Sequence, residues 1–239
     1  MFHIGCCGFT VAKTKYYDSL DTVEMQQTFY QPPSLRALES WRASAPAGFE
    51  FAIKAWQLIT HDPSSPTYQR LTNPVPDFKR QSYGFFRPTA EVWRAWEAVR
   101  RAAEILNAKV VLFQTPPNFR PGEENIANVI GFFAKAARDG LTLAWEPRGP
   151  WKEGDIRRVC EEADVVHCTD PLRQEPCHGR IKYLRLHGKG GRQDGYTEED
   201  INQVIDRYKS EPEVYLLFNN STMYQDALKA RELCSSTIS

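Results

Sequence analysis

Eight short runs with the two-residue period of a β-strand punctuate this chain, and most are joined by stretches with the three-to-four-residue apolar spacing of a helix. The runs fall at 3–7, 22–30, 49–55, 110–115, 141–146, 164–169, 181–187 and 214–218. A strand–helix–strand repeat pairs its strands in parallel, because the helix returns the chain to the edge it left. Eight such units in 239 residues match an α/β fold of the closed (β/α)8 TIM-barrel kind, one domain spanning 1–239. The competing arrangement is an open doubly wound sheet. Against it, no G-x-G-x-x-G follows any strand, and Gly188-Lys189-Gly190-Gly191 is neither that fingerprint nor a Walker loop.

The clearest helix covers 89–107, where Val92, Trp96, Val99, Ala103 and Leu106 form one apolar stripe. Two connections depart from the repeat. The first, 10–21, is shorter than the usual helix and leaves the outer ring of helices incomplete. The third strand is followed by a proline-rich stretch, 62–88, far longer than the 2 to 6 residues usual in α/β units and expected to serve as a rim loop.

Thirty basic residues balance thirty acidic ones, so no bulk field draws the chain to nucleic acid or an anionic membrane. No apolar run approaches the ~20 residues of a membrane span, and the N-terminus lacks the pattern of a signal peptide; the expected location is the cytoplasm. Six cysteines show no C-x-x-C spacing, and most are expected to be buried small hydrophobes. Cys168 and Cys177 bracket one loop and are the pair placed to form a bridge.

In such a barrel the C-terminal strand ends open on one rim, where active sites lie. Strand parity brings Glu24, Lys54, His61, Gln114, Glu146, Arg148, Asp170, His187 and Asn219 there, and few residues of the set are apolar. Each also has a structural reading: Glu24 as half of a buried ion pair with Lys54 or Arg148, His187 and Asn219 as backbone braces, Trp145 and Trp151 as packing or pocket wall.

These residues resemble the YecE-like family of uncharacterised TIM-barrel proteins, also called domain of unknown function seventy-two. The resemblance spans nearly the whole chain. It rests on Ile4-Gly5-Cys6-Cys7-Gly8-Phe9, Val23-Glu24-Met25-Gln26-Gln27-Thr28-Phe29-Tyr30, Lys54-Ala55 with Ile59-Thr60-His61, and Phe113-Gln114-Thr115-Pro116-Pro117-Asn118-Phe119. It continues in Trp145-Glu146-Pro147-Arg148, Arg185-Leu186-His187-Gly188, Tyr196 and Phe218-Asn219-Asn220. The resemblance implies the barrel and a rim site including Glu24, Lys54, His61, Glu146, Arg148, His187, Tyr196 and Asn219, without implying an activity. Pro147 and Pro150 depart from the pattern, so the aim of Arg148 depends on Pro147.

The leading expectation is an enzyme of hydrolase or isomerase type using acid/base chemistry on a small polar, anionic or phosphorylated substrate, carbohydrates included. Glu24 and Glu146 are the expected proton carriers and His187 the third catalytic candidate; Lys54, His61, Gln114, Arg148, Tyr196 and Asn219 would bind substrate. No organic cofactor motif is present. Glu24, Glu146, Asp170 and His187 also make a donor set for a divalent metal, which gives a metal-dependent phosphodiesterase or nuclease as the alternative. A third reading is a non-enzymatic module binding protein or nucleic acid through Lys79, Arg80, Tyr83, Phe85, Phe86 and Arg87 of the long loop. Nucleic acid is the less favoured partner, and no membrane partner is expected.

Overall fold

In a computed structural model, residues 1–237 are described. Their elements follow in order β1 (Phe2–Cys6), α1 (Lys13–Ser19), β2 (Thr22–Met25), α2 (Gln27–Tyr30), α3 (Leu35–Ser44), β3 (Glu50–Lys54) and α4 (Gln57–Thr60). Next come α5 (Ala90–Leu106), β4 (Val110–Gln114), α6 (Glu123–Lys135), β5 (Thr142–Glu146), α7 (Glu153–Ala163) and β6 (Val166–His167). The chain ends with β7 (Lys182–Leu186), α8 (Glu198–Tyr208), β8 (Val214–Phe218) and α9 (Met223–Thr237). All eight strands are parallel, in the order β6-β5-β4-β3-β2-β1-β8-β7. The ring is completed where Thr169 bridges Leu184 and the Arg185 N–H donates to the Thr169 carbonyl at 2.9 Å. This is the (β/α)8 barrel. No helix among the described residues is long and apolar enough to cross a membrane.

Two cores follow from the strand period. Outward-facing residues such as Val23, Phe51, Phe113 and Trp145 pack beneath the helices, while Ala52, Leu112, Ala144, Tyr183 and Leu217 fill the interior. The stripe on α5 is wholly buried, from Val92 to Leu106, with Thr89 capping the helix through Val92 N–H and Asn107 stopping it in the left-handed conformation.

Several elements differ from the periodic reading. The second strand ends at Met25 instead of running to residue 30, because α2 turns the chain so that the Thr28 hydroxyl meets the carbonyls of Met25 and Lys54 (2.9 and 2.7 Å). The sixth strand shrinks to two residues, since the His167 N–H is taken by the carbonyl of His178 in the following connection. The first connection does hold a helix, the seven-residue α1. Its Tyr16 hydroxyl accepts the Cys6 N–H at 2.7 Å and donates to the Thr22 carbonyl at 2.9 Å, tying β1 to β2; sequence periodicity could not register so short an element. The Cys168–Cys177 bridge is not formed. All six cysteines are free, and Cys168 faces the barrel interior.

The long loop is folded onto the barrel. Two 3-10 turns, Pro66–Arg70 and Asp77–Ser82, structure it, and Phe85 and Phe86 turn inward, both at φ 53°. Phe86 is 1% exposed among Phe113, Phe119, Phe132 and Phe133. Backbone bonds from Gly84 N–H to Leu58 O and Phe86 N–H to Ile59 O hold it there. Arg80 and Arg87 bond the loop's own carbonyls, of Pro63 and Tyr83. Of the basic and aromatic residues proposed to grip a partner, most therefore serve the loop itself.

Gly5 shows how tightly the wall is drawn: a Cβ there would lie 2.0 Å from the Thr22 carbonyl oxygen. Gly5→Ala should cost about 3 kcal/mol or more, or abolish folding. Gly131→Ala, on α6 with open space around it, should instead stabilise by up to about 1 kcal/mol. Urea unfolding of both variants checks the contrast.

Candidate functional site

The upper barrel is built around a charge in a place where strands are normally apolar. On β7, Tyr183 and Arg185 alternate inward with Leu184 and Leu186 outward, and the Arg185 side chain is wholly buried. Its guanidinium lies between two carboxylates. One terminal nitrogen donates to Glu24 Oε1 at 2.9 Å and the other to Glu146 Oε2. Glu24, 0% exposed, is further held by the Tyr183 hydroxyl at 2.9 Å and by the Gln26 amide. Glu146 receives Arg148 on its other oxygen at 2.5 Å, and the same Arg148 nitrogen meets His187 Nε2 at 2.6 Å. Asp170 Oδ2 accepts the His187 backbone N–H at 3.2 Å.

Opposed effects set the protonation states. Burial alone would raise the Glu146 carboxyl, but Arg185 and Arg148 overcome it and bring the pKa to about 2. Burial lowers His187, against the pull of Asp170 and Glu146, so its ring is favoured neutral and accepts from Arg148. Burial also works against the charge on Arg185, which Cys7 and the two glutamates more than restore.

Lys54, at the end of β3, stands beside this cluster. Its side chain has one hydrogen bond, from Nζ to Gln114 Oε1 at 2.8 Å, and its Nζ lies 4.2 Å from the centre of the Phe29 ring supplied by α2. Burial, reinforced by the nearby positive charge of Arg185, brings its pKa down to about 8. Behind Phe29, His61 makes an edge-on ring contact at 4.8 Å and pairs its Nδ1 with the Thr60 hydroxyl at 2.8 Å. Burial and the Lys54 charge push His61 down to about 3, leaving it neutral.

Above Lys54 a cavity of about 370 Å³ opens on the rim. Lys54 and Gln114 contribute to it from β3 and β4, Gly8 and Phe9 from the turn after β1, Gln26 and Tyr30 from around α2, and Asn219 and Arg192 from the far side. Of the residues expected to bind substrate, Lys54, Gln114 and Asn219 line this cavity. His61, Arg148 and Tyr196 do not; the Tyr196 hydroxyl accepts the Gly188 N–H at 2.6 Å and braces the loop after β7. Glu24, Glu146 and His187 lie outside the lining. Trp145 and Trp151 pack edge-on at 5.0 Å, with the Trp151 indole bonded to the Phe119 carbonyl, as part of the outer core.

Arg185, Tyr183, Gln26, Tyr30 and Arg192 were absent from the expected set. Arg185 carried a readable signal, a lone charge at an inward position of an apolar strand. Arg192 carried none, since it arrives from a loop. The four residues considered as metal donors do not form an open donor set, because the Arg185 guanidinium already bridges Glu24 and Glu146. Among the described residues, the one group of three His, Cys, Asp or Glu side chains close enough for a metal is His3, Glu50 and Glu213. It sits at the opposite end of the barrel.

The chain belongs to the family described as protein of unknown function DUF72, whose model matches residues 12–237. A DUF72 family protein from Enterococcus faecalis superposes with a TM-score of 0.72 at 17% identity, covering 98% of this chain and 96% of that one. One from Thermotoga maritima gives 0.67 at 16% identity, covering 98% and 99%. A D-tagatose 3-epimerase-like protein gives 0.53 at 14% identity, covering 99% and 97%. At these identities the likeness is one of fold. No curated protein matches the chain.

The Glu146 pKa makes a stability prediction. Its folded value of about 2 lies below the 4.5 of an unperturbed glutamate, so between these values the unfolded chain binds more protons. The carboxylate's contribution is complete above about pH 4.5 and is lost as pH falls towards 2. Glu146→Gln should destabilise by about 3–5 kcal/mol at pH 6, and the gap from wild type should close through that window. Denaturant unfolding from pH 6 to 2.5 measures it.

Proposed function

We propose that this protein is an enzyme that moves a proton on a small polar substrate bound in the rim cavity, with Lys54 as the proton carrier. One observation carries the reading: a buried lysine with a single hydrogen-bond partner, held near pKa 8, lines an otherwise polar cavity. A general acid or base works best when its pKa lies near the working pH, and burying a lysine is one way to achieve that. In this proposal Glu24 and Glu146 are fixed anions that hold Arg185. The Arg185 charge in turn favours the neutral amine of Lys54.

The amides of Gln26, Gln114 and Asn219 suit hydroxyl or carbonyl groups, and Arg192 at the mouth suits a carboxylate or phosphate. A cavity of about 370 Å³ fits a sugar-sized molecule. Isomerase-like proton transfer next to a carbonyl is the reaction class these parts support best. The epimerase-like neighbour lends the barrel frame alone. The metal-dependent alternative is disfavoured by Arg185 between the two carboxylates that would be ligands. Of the residues named for the binding-module reading, Lys79 and Arg80 keep exposed side chains, beside Phe78 at 84% exposed, whereas Phe86 is buried and Arg87 is tied to the loop itself.

The test is solvent-deuterium incorporation, followed by proton NMR, across a panel of aldoses, ketoses and their phosphates. Exchange into at least one substrate is expected, with a rate that rises through about pH 8. Lys54→Met should lower that rate about a hundredfold to ten-thousandfold. Since the folded pKa lies below the unperturbed 10.5, keeping Lys54 charged at pH 7 costs stability, so the same variant should melt no lower than wild type. Exchange that survives in Lys54→Met would overturn the assignment.

A further inference from the structure

The base of the barrel carries a second polar cluster, at the opposite end from the rim cavity. His3 of β1, Glu50 of β3 and Glu213, the residue before β8, share the inward parity of Cys7, Ala52 and Tyr215. His3 Nδ1 lies 3.5 Å from Glu50 Oε2, and its Nε2 lies 3.5 Å from Glu213 Oε1. Both separations exceed the ~2.7–3.2 Å of an N–H···O hydrogen bond. One donor atom from each of the three side chains lies within 4.8 Å of the other two. The His3 ring stacks on Tyr215, centroids 4.6 Å apart at 18°, which fixes its plane. Tyr215, 1% exposed, turns its hydroxyl to Glu50 Oε2 at 2.5 Å and to Glu213 Oε1 at 3.3 Å.

The charges in this cluster do not balance. A phenol donates one proton, so Tyr215 can satisfy only one of the two carboxylates that converge on it. Among the described residues, no lysine or arginine pairs with Glu50 or Glu213. Lys109 and Arg180 border the adjoining cavity of about 340 Å³, but Arg180 is turned to the Thr142 hydroxyl at 2.7 Å. The rim differs, since Glu24 and Glu146 are there neutralised by guanidinium groups. A further polar atom is unspent. Thr22 lies on β2, between the strands that carry His3 and Glu50, with the inward parity of Glu24 and Glu50 as its register partner. It is 0% exposed, and its hydroxyl has no hydrogen-bond partner among the described residues.

We propose that His3, Glu50 and Glu213 bind one divalent transition-metal ion, Zn²⁺ being the best fit, which clamps β1, β3 and β8 together at the base of the barrel. An imidazole with two carboxylates suits a borderline ion, and two negative charges balance its two positive ones. Tetrahedral donors around zinc stand ~3.4 Å apart, so the three side chains close on the ion by about 1.5 Å or less. Tyr215 steadies both glutamates, as outer donors do at zinc sites. The basal cavity admits the ion and leaves its fourth position to water, for which the Thr22 hydroxyl is a candidate partner. Reaction chemistry in such barrels belongs to the other end, so the ion acts on stability.

The experiment titrates Zn²⁺ into metal-stripped, untagged protein by calorimetry, with Mg²⁺ for comparison, and follows melting in parallel. One equivalent of Zn²⁺ should bind, more tightly than Mg²⁺, and the melting temperature should climb with free Zn²⁺. Co²⁺ in place of Zn²⁺ should show no thiolate charge-transfer band, which separates this site from the free cysteines. His3→Ala and Glu213→Gln should each abolish the equivalent and the thermal response, and Tyr215→Phe should weaken binding about ten- to a hundredfold. No binding by the wild type, a thiolate band, or an equivalent that persists in both ligand variants overturns the proposal. If the variants fail to fold by circular dichroism, the wild type decides. Zn²⁺ should protect His3 from diethylpyrocarbonate, mapped by peptide mass, and leave His178 modified at its former rate. Unchanged modification of His3 overturns the proposal.

Discussion

A buried guanidinium between two carboxylates is the constraint on which the upper half of this barrel rests. Arg185, Glu24 and Glu146 come from three different strands, and none of them could lie in a barrel interior alone, where an unpaired charge is heavily penalised. Joined, they fix the C-terminal ends of β2, β5 and β7 relative to one another. Tyr183, Gln26, Arg148 and His187 take up the remaining carboxylate oxygens and the Arg148 terminal nitrogen, while the Nε atoms of Arg185 and Arg148 are buried without a hydrogen-bond partner.

The effect of this network on its surroundings is electrostatic. With both glutamates neutralised by arginines, the net field at Lys54 no longer favours an ammonium strongly enough to offset burial against Phe29. A lysine that would otherwise be a permanent cation becomes a group able to exchange protons near neutral pH. The network prepares the lysine, and the cavity above it supplies the amides and the mouth arginine that would hold a substrate.

The barrel was legible because its signals are local. Two-residue alternation gave the inward faces of β3, β4 and β5 correctly, placing Lys54, Gln114 and Glu146 inside, and the α5 stripe is buried as its spacing requires. Short elements escaped, since α1, α2 and α4 are one or two turns held by tertiary hydrogen bonds such as those of Tyr16 and Thr28. Within the site, parity could say that Glu24 and Glu146 point inward. It could not say that their oxygens are spent on Arg185, because that depends on three strands of the closed ring. For the same reason proximity along the chain pairs Cys177 with Cys168, whereas the fold turns Cys168 into the barrel interior and packs Cys177 against the outer core.

The most direct test of the account is the titration of Lys54 itself. In protein carrying lysine labelled with ¹³C at Cε, NMR spectra followed from pH 6 to 11 should show one lysine titrating near pH 8, and that signal should vanish in Lys54→Met. If every lysine titrates at about 10.4, the ordinary value, then Arg185 and burial do not tune this amine, and the proposed chemistry loses its proton carrier.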